Sequence, residues 1–558
     1  MQFEKITTQV LVIGGGGAAM RAALEAHAAG AEVLMVSKDT VGYSGATYYS
    51  VAELGAFNVP DGGIDPSDNP EAYYQDMMAA AQGAANPKLV RILAEEVEEH
   101  AKKYLEKNGM RFSRKADGGY MGYRACFSTK ARSYVVPDHF KPIMKTLREQ
   151  LEKTSIKTLA PLMVTGLLVK DGVCFGALAI DRKKLQGYRI YANAVVVTTG
   201  GASTMFVHHM YPEDITGDGY AIARRAGATM TNMEFLQAGI GLAHPKINLI
   251  GNQLWEMWPG LVNGKGEAFL EKYIEGGCTV EDVIRAKGKH FPFSVADPSR
   301  FVEIGIRREM IAGNVTSNGN VYLDFTKIDF DHVFDGEKKH LKDMWPLTYE
   351  RFKSYGIDVY TQKLEIAVFA HCVNGGILID ENAQSSIEGL FAAGETAAGP
   401  HGADRLGGNM SVTCQVFGRR AGLAAAARAK KAARINEDQA LAKGQEEYLT
   451  GFANLKQDEI KTLTAGLKKT VEENLLILRS EEGLNTLLNA LCGVEANIKG
   501  SGTAEASEGL LRALELANLV ESARLMAGAA LARKESRGSN YRSDYPDKDE
   551  KLAHQIII

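Results

Sequence analysis

The chain has no two cysteines at Cys-x-x-Cys spacing. Its six, Cys126, Cys174, Cys278, Cys372, Cys414 and Cys492, are scattered over 558 residues. That pattern supplies neither a disulfide framework nor a set of iron–sulfur or zinc ligands within this chain, and a reducing, cytoplasmic address is expected. No uninterrupted apolar run approaches the roughly 18 residues that a membrane-spanning helix needs. The first residues, MQFEKITTQVLVIGGGG, carry Glu4 where a secretory leader carries positive charge, and their apolar run is only a strand long. Direct membrane insertion is therefore not expected. With 68 acidic and 64 basic residues the formal charge is -4, too small a field to gather nucleic acid. There is no internal repeat and no long low-complexity tract.

What is present is glycine, 58 residues, above the usual share of about 7%. Hydrophobic residues are 45% and charged residues 24%, a globular balance, and the length is that of roughly three to four domains. Val10–Ile13 reads as a buried strand, and Gly14-Gly15-Gly16-Gly17-Ala18-Ala19 follows it directly. The alanine-rich MRAALEAHAAG then reads as a helix ending at Gly30, and AEVLMVS as a second strand. Gly14, Gly16 and Ala19, with Gly17 in the same turn, fit the G-x-G-x-x-A fingerprint, where bare backbone lets a pyrophosphate reach the amides of a helix N-terminus. A glycine turn alone would say little; the strand before it and the helix after it give it meaning.

The second strand ends in Ser37 and Lys38, not in the Asp or Glu that usually takes ribose hydroxyls. Glu395, where GLFAAGETAAG runs an apolar strand into a glycine, is a substitute; an ordinary loop acid is the competing reading. YANAVVVTTGGAS is another buried strand, ending in Thr199-Gly200-Gly201, and EDITGDGYAIARRAGA is a turn and helix containing Asp218. From Met230 to about Tyr360 the chain is mixed and carries all three tryptophans, and after Gly418 it turns helical. These segments suggest one nucleotide domain interrupted by an insertion and followed by a helical domain.

Read in order, VIGGGGAAMRAALEA, SGAT, VVVTTGG, TGDGYA, NMEFLQ, VYLDFT, AHCVNGGI, GLFAAGETAAGPHGADRLGGN, FGRRAG and ARKESRGSNYRSDYP resemble the flavoprotein-subunit family of fumarate reductase, succinate dehydrogenase and L-aspartate oxidase, nearly end to end. The resemblance implies an α/β fold: a discontinuous Rossmann-like FAD-binding domain, an inserted α+β capping domain and a C-terminal helical domain. The expected divisions are 1–229, 230–360, 361–430 and 431–558, the first and third forming the FAD domain. It implies a pyrophosphate turn at Gly14, Gly16, Gly17 and Ala19, a ribose acid at Glu395, and FAD contacts from Ser37, Lys38, Ser44, Gly45, Thr47, Thr199, Gly200, Gly201 and Asn409. Asp218 is a flavin-side residue by the same likeness, or else a structural residue or cap at its turn. Respiratory members bond a histidine just after the second strand to the flavin. KDTVGYSGATYYS contains none, so FAD is expected to be bound non-covalently.

The resemblance also carries a chemistry. Hydride reaches the carbon β to a carboxylate, a proton reaches the α-carbon, and the transition state places enolate-like charge on the carboxylate, which fixed cations stabilise. In the matching positions His371 and Arg405 hold that carboxylate, the guanidinium in bidentate fashion. Arg300, in a Ser-Arg phrase opening a helix, is the implied proton donor, with Arg307 and Arg308 as competing assignments.

The departures narrow the substrate. Where the family continues Gln-Phe-His-Pro-Thr, this chain reads Gln237-Ala238-Gly239-Ile240-Gly241, with His244-Pro245 five residues late. The family's Arg-Gly-Glu-Gly-Gly phrase is replaced by a stretch holding Trp255 and Trp258. A second carboxylate stripped of its buried partners would cost several kcal/mol, so the pocket, with Gly239, Trp255, Trp258, Cys372 and Gly408 in its wall, is expected to suit an acid with an apolar or aromatic tail. Core filling is the competing reading of the tryptophans. The expected activity is FAD-dependent reduction of the C=C bond of an α,β-unsaturated carboxylic acid. Fumarate reductase or succinate dehydrogenase proper, an L-aspartate oxidase-like oxidase and a non-catalytic electron relay are the alternatives. With no cysteine cluster, electrons are expected from a separate iron–sulfur or flavin protein.

Overall fold

Val10, Leu11 and Val12 are fully buried, and the need to cover both faces of that one strand organises the first half of the molecule. A computed structural model describes residues 2–49, 51–52, 54–335, 341–342, 345–432, 436–437, 439–453, 455–500 and 507–558. The elements that position the site are, in chain order, β1 (Phe3–Ile13), α1 (Gly17–Ala28), β2 (Val33–Val36), β3 (Leu54–Asn58), β4 (Ser133–Pro137), β5 (Lys157–Leu159), β6 (Leu162–Lys170), β7 (Val173–Asp181), β8 (Gly187–Val197), α2 (Asp218–Arg225), β9 (Leu236–His244), β10 (Asn248–Leu249), β11 (Gly260–Val262), α3 (Arg300–Ile311), β12 (Val321–Asp324), β13 (Leu364–Val373), β14 (Leu390–Ala392), α4 (Asn409–Lys431), α5 (Gln457–Leu475), α6 (Glu481–Ile498) and α7 (Glu508–Ala532).

A seven-stranded sheet runs β5-β2-β1-β8-β7-β6, with β14 paired to the end of β8. β5, β2, β1, β8 and β14 are mutually parallel, and β7 and β6 close the other side antiparallel. Parallel strands are covered on both faces and need continuous apolar runs, which VLVI, VLMV and AVVV provide. The registers Ile13↔Val36, Ile13↔Val197 and Ala392↔Val197 bring four carboxyl ends level. One face is covered by α1, which lies so close to α4 that a Cβ on Gly422 would fall 2.2 Å from the Ala22 carbonyl oxygen.

A second, five-stranded sheet, β10-β9-β13-β12-β11, is antiparallel throughout and is built from residues inserted between the two parts of the first. α3 packs on β13 and β12. The fold is therefore an α/β nucleotide-binding sheet completed late in the chain, an α+β insertion, and a C-terminal group in which α5, α6 and α7 pack on one another and α7 lies against α2.

The C-terminal segment is fastened by charge. Glu234, just before β9, accepts from Arg533 Nε at 2.6 Å, and Glu535 bridges Arg533 and Arg537 at 2.8 and 2.6 Å. Arg479 donates to the Glu234 carbonyl and to Asn540 Oδ1, both at 2.6 Å. None of Arg479, Arg533, Glu535 and Arg537 is more than 1% exposed. Removing one partner from such a set strands the other charges in a poorly solvated place, which costs about 3–5 kcal/mol. Glu535→Ala is accordingly expected to lower the thermal unfolding midpoint strongly, while an exposed control such as Glu482→Ala leaves it unchanged; calorimetry of the two variants checks this.

Candidate active site

The carboxyl ends of β2, β1, β8 and β14 open onto one cavity of about 830 Å³, the position where open parallel sheets take their ligands. Gly14 has φ +134° and lies so near β8 that a Cβ there would meet the Thr198 carbonyl oxygen at 2.4 Å, whereas one on Gly16 would find nothing nearer than 3.9 Å. Gly16 caps α1 without a side chain, so its first amides face the cavity unblocked, as an anion site at a helix N-terminus requires. Gly14, Gly16, Gly17, Ser37, Lys38, Ser44, Gly45, Thr47, Thr199, Gly200, Asp218 and Glu395 all line the cavity. Ala19 and Gly201 do not: Ala19 is fully buried in the helix flank, and Gly201 backs the carboxylate of Glu395, which a Cβ would touch at 2.2 Å.

Lys38 is held by Asp218 at 2.9 Å and by Glu515 of α7 at 3.1 Å. Burial opposes its charge, but the two carboxylates outweigh burial and hold the ammonium above its ordinary value. Asp218 also accepts from Asn518 Nδ2 at 2.8 Å and is the first residue of α2 after the cap Gly217. It is an ion-pair anchor at the cavity edge, not a cap. Glu395 accepts from Tyr211 Oη at 2.6 Å and from the Val373 amide at 2.9 Å. Burial pushes its carboxyl up to about 7.

Farther along the same cavity lie His371, Cys372, Arg405 and Gly408. His371 and Cys372 end β13. Arg405 precedes α4 and is 6% exposed; its Nη1 donates to the Leu406 carbonyl at 3.0 Å and its Nη2 to Cys372 Sγ at 3.3 Å, while Nε is buried without a partner. No carboxylate among the described residues pairs with it. His371 is held by burial, and secondarily by the Arg405 charge, at about 3, so its imidazole is neutral. Its Nδ1 is buried without a partner. An unpaired buried N–H is the costlier orphan, which assigns the ring proton to Nε2. Gln237 clamps Arg405 and Cys372, donating from Nε2 to the Arg405 carbonyl at 2.9 Å and accepting at Oε1 from the Cys372 thiol at 3.2 Å.

The remaining expected residues divide. Trp255 is 1% exposed and part of the core, with one edge on the cavity; Trp258 is 42% exposed at its mouth. Gly239 does not line the cavity but makes room for Phe291, whose ring a Cβ would touch at 2.4 Å, and Phe291 does line it, edge-on to His371. Asn409 stays behind the wall, accepting from Asn58 Nδ2 and Tyr73 Oη, both at 2.6 Å. Arg300 is not brought to the cavity: its Nη1 donates to the carbonyls of Val295 and Asp297 at 3.2 and 3.4 Å. The turn before α3 thus holds one nitrogen of the guanidinium, the Asp297 carbonyl accepting from the Arg300 amide as well, at 3.4 Å. Arg307 pairs with Glu472 at 3.0 Å, and His244 is exposed.

Several lining residues carry no motif that would have announced them. Tyr211 and Gln237 act through partners distant in sequence, and Phe291 is visible only as the reason for Gly239. His139, at φ +58°, lines the cavity with Nδ1 buried and unpartnered; burial and then Arg351 hold it at about 4.

A family model described as "FAD binding domain" matches residues 9–411, and one described as "Fumarate reductase flavoprotein C-term" matches 464–557. The chain is 30% identical to a subunit of the fumarate reductase (CoM/CoB) of Methanothermobacter marburgensis, covering 100% of this chain and 98% of that one. It is 28% identical to the L-aspartate oxidase of Bacillus subtilis over 96% and 91%. The solved Mycobacterium smegmatis Sdh1, in complex with UQ1, superposes with a TM-score of 0.82 at 27% identity, covering 98% and 90%.

The raised Glu395 makes a pH prediction for the chain freed of nucleotide. Between the ordinary carboxyl value of 4.5 and about 7 the folded state keeps a proton that the unfolded state has released. This contribution to stability is complete below 4.5 and is lost as pH rises through about 7. It amounts to on the order of 3 kcal/mol across the window. Urea titrations from pH 4.5 to 8 should show that decline, and Glu395→Gln, which cannot ionise, should flatten it.

Proposed function

The chain belongs to the flavoprotein-subunit family of fumarate reductase, succinate dehydrogenase and L-aspartate oxidase, and on that premise we propose that it reduces the C=C bond of an α,β-unsaturated carboxylic acid bearing an apolar or aromatic tail. As a family member it binds FAD and is an oxidoreductase acting on CH–CH groups. The observation that carries the substrate reading is the pairing of one uncompensated buried cation with an apolar wall. Lys38 is already neutralised, so Arg405 is the one buried cation on the cavity, among the described residues, with no carboxylate partner. Phe291, Trp255, Leu249 and Val51 line the same cavity. A single carboxylate would be gripped while the rest of the acid is desolvated against hydrocarbon; a second carboxylate in that wall would lack partners.

The glycine turn and Glu395 fit an FAD pyrophosphate and ribose, and the missing histidine in 38–50 supports non-covalent binding. FAD supplies, when bound, the hydride that adds to the β-carbon. Arg405 then receives the charge that gathers on the carboxylate, and neutral His371 donates its Nε2 proton in a hydrogen bond to the same group. Fixed donors aimed at developing charge are worth about 10² to 10³ in rate each. The α-carbon proton is assigned in this proposal to Arg300, which must first release the carbonyls of Val295 and Asp297. An unneutralised guanidinium in the cavity argues against a mere relay, since a relay has no use for a carboxylate grip.

Among the described residues no group of three potential ligands could hold a metal, and no helix is long and apolar enough to cross a membrane. Electrons for the flavin are proposed to come from a separate iron–sulfur or flavin protein, and a cytoplasmic address is proposed from the scattered cysteines of the sequence. The divisions 1–229, 230–360, 361–430 and 431–558 are kept as part of this proposal, except that β13 (Leu364–Val373) pairs with β9 and β12 and so carries the inserted unit past 360, with His371 delivered from its last strand.

Reoxidation of the photoreduced protein by a panel of acids tests the reading. Cinnamate-like acids are expected to outperform fumarate in kcat/KM, and Arg405→Met to lower the rate about 10³-fold with His371→Gln nearer 10². Preference for fumarate together with no effect of Trp258→Ala would place the chain with the dicarboxylate enzymes, and peroxide release with aspartate would mark an oxidase. After acid precipitation the flavin is expected in the supernatant.

A further inference from the structure

We infer that Tyr211 is a positioning residue for both halves of the site: its hydroxyl aims the carboxylate of Glu395 at a hydroxyl of FAD, and its ring fixes the plane of His371 beside the substrate's carboxylate. The inference rests on the cofactor role of Glu395 and the substrate role of His371 proposed above.

Tyr211 lies in the loop between β8 and α2, lines the cavity and is buried, packed with Ile215 and Cys372. Its Oη donates to Glu395 Oε2 at 2.6 Å, and Oε1 takes the Val373 amide at 2.9 Å. A Cβ on Gly201 would fall 2.2 Å from Oε1, so a hydroxyl, an amide and a bare glycine hold the group in one place. An ionised carboxylate offers about four acceptor positions. Two are used here, and the others remain for a ligand hydroxyl.

The same bond acts on charge. Burial pushes the Glu395 carboxyl up to about 7, and against burial stand the Tyr211 hydrogen bond first, then the Val373 amide, then the Arg405 charge. Tyr220 and the thiols of Cys372 and Cys414 also face this carboxyl, and burial pushes each of them up, so they stay neutral beside it. Burial and then the Glu395 charge hold the Tyr211 phenol well above its ordinary value, so it remains a donor. A hydrogen bond to the charged form favours that form, and Tyr211 therefore opposes the neutralisation that burial imposes.

His371 needs the ring for a different reason. Its imidazole makes no hydrogen bond to a described residue, and its Nδ1 is buried without a partner. What flanks it are two aromatic rings set edge-on, Tyr211 at 6.0 Å and 74° and Phe291 at 6.2 Å and 85°, the arrangement that ring quadrupoles prefer. The Val373 amide that binds Glu395 lies two residues beyond His371 on β13, so the strand carrying the imidazole is fastened to the carboxylate that Tyr211 holds.

The test dilutes the FAD-loaded full chain at pH values from 5.5 to 9 and reads released FAD by its fluorescence. For the parent, the Kd is expected to fall as pH rises to about 7 and then to level. Tyr211→Phe, which keeps the ring, should level about one pH unit later, bind FAD about fivefold more weakly at pH 7 and match the parent again at pH 9. Its KM for a cinnamate-like acid should stay at the parent's value. Tyr211→Leu should repeat that FAD profile and also raise the KM, by about fivefold, with kcat little changed. In Glu395→Gln the FAD profile should be flat, and adding Tyr211→Phe should change nothing further. A parental profile in Tyr211→Phe, or a weakening equal at every pH, as general damage would give, overturns the role of the hydroxyl. A KM in Tyr211→Leu no higher than in Tyr211→Phe overturns the role of the ring. If Glu395→Gln itself keeps the parental profile, the cofactor role of Glu395 falls and takes the role of the hydroxyl with it.

Discussion

A guanidinium buried without a counter-ion is the constraint on which the rest of the site depends. Arg405 has a carbonyl and a thiol for company, both weak compensation for a full charge in a poorly polarisable place. The surroundings hold it there regardless: Gln237 grips its backbone from the inserted sheet. A fold that keeps such a charge in place gives up stability to do so, and a ligand bringing negative charge relieves that strain on binding.

The other titratable groups of the cavity show the opposite behaviour, which sharpens the contrast. Burial pushes Glu395 up to about 7 and His371 down to about 3, so the acid tends toward neutrality and the imidazole is neutral. Arginine does not follow them at equilibrium, since its guanidinium keeps its charge however deeply it is buried; the transient donation proposed for Arg300, to a carbanion-like centre that is a far stronger base, is a separate event. The chamber thus sheds charge wherever chemistry allows and keeps one fixed positive point. At the other end of the cavity the start of α1 offers bare amides, and Lys38 beside it is already paired with Asp218 and Glu515.

Much of the fold was legible because its signals are local. A strand–glycine–helix–strand opening determines β1, α1 and β2 without reference to anything distant, and the apolar runs that became β8 and β14 are unmistakable. The glycine turn at the head of the cavity and the meeting of His371 and Arg405 on its wall were likewise reachable from short phrases. What could not be read were the features that depend on a partner far along the chain. Whether Asp218 caps a helix or pairs with Lys38 turns on Glu515 and Asn518 of α7. The place of Arg300 is decided by carbonyls only a few residues away, but only once the turn before α3 has taken its shape. Trp255 and Trp258, three residues apart, end in different settings, one in the core and one at the mouth. Gly239 shapes the cavity at one remove, through Phe291, because a glycine reports that something is close without saying what.

β14 is three residues long, yet it completes the shelf on which Glu395 is presented, and it is separated from its partner β8 by nearly the whole inserted unit. On a ribosome, the amino-terminal sheet must therefore wait, with the edge of Val195–Val197 uncovered, while that unit emerges and finds its own shape. Nucleotide capture belongs to the end of synthesis rather than to its start, and a nascent chain halted before residue 390 presents a hydrophobic edge to the cell's folding helpers in place of a cofactor pocket.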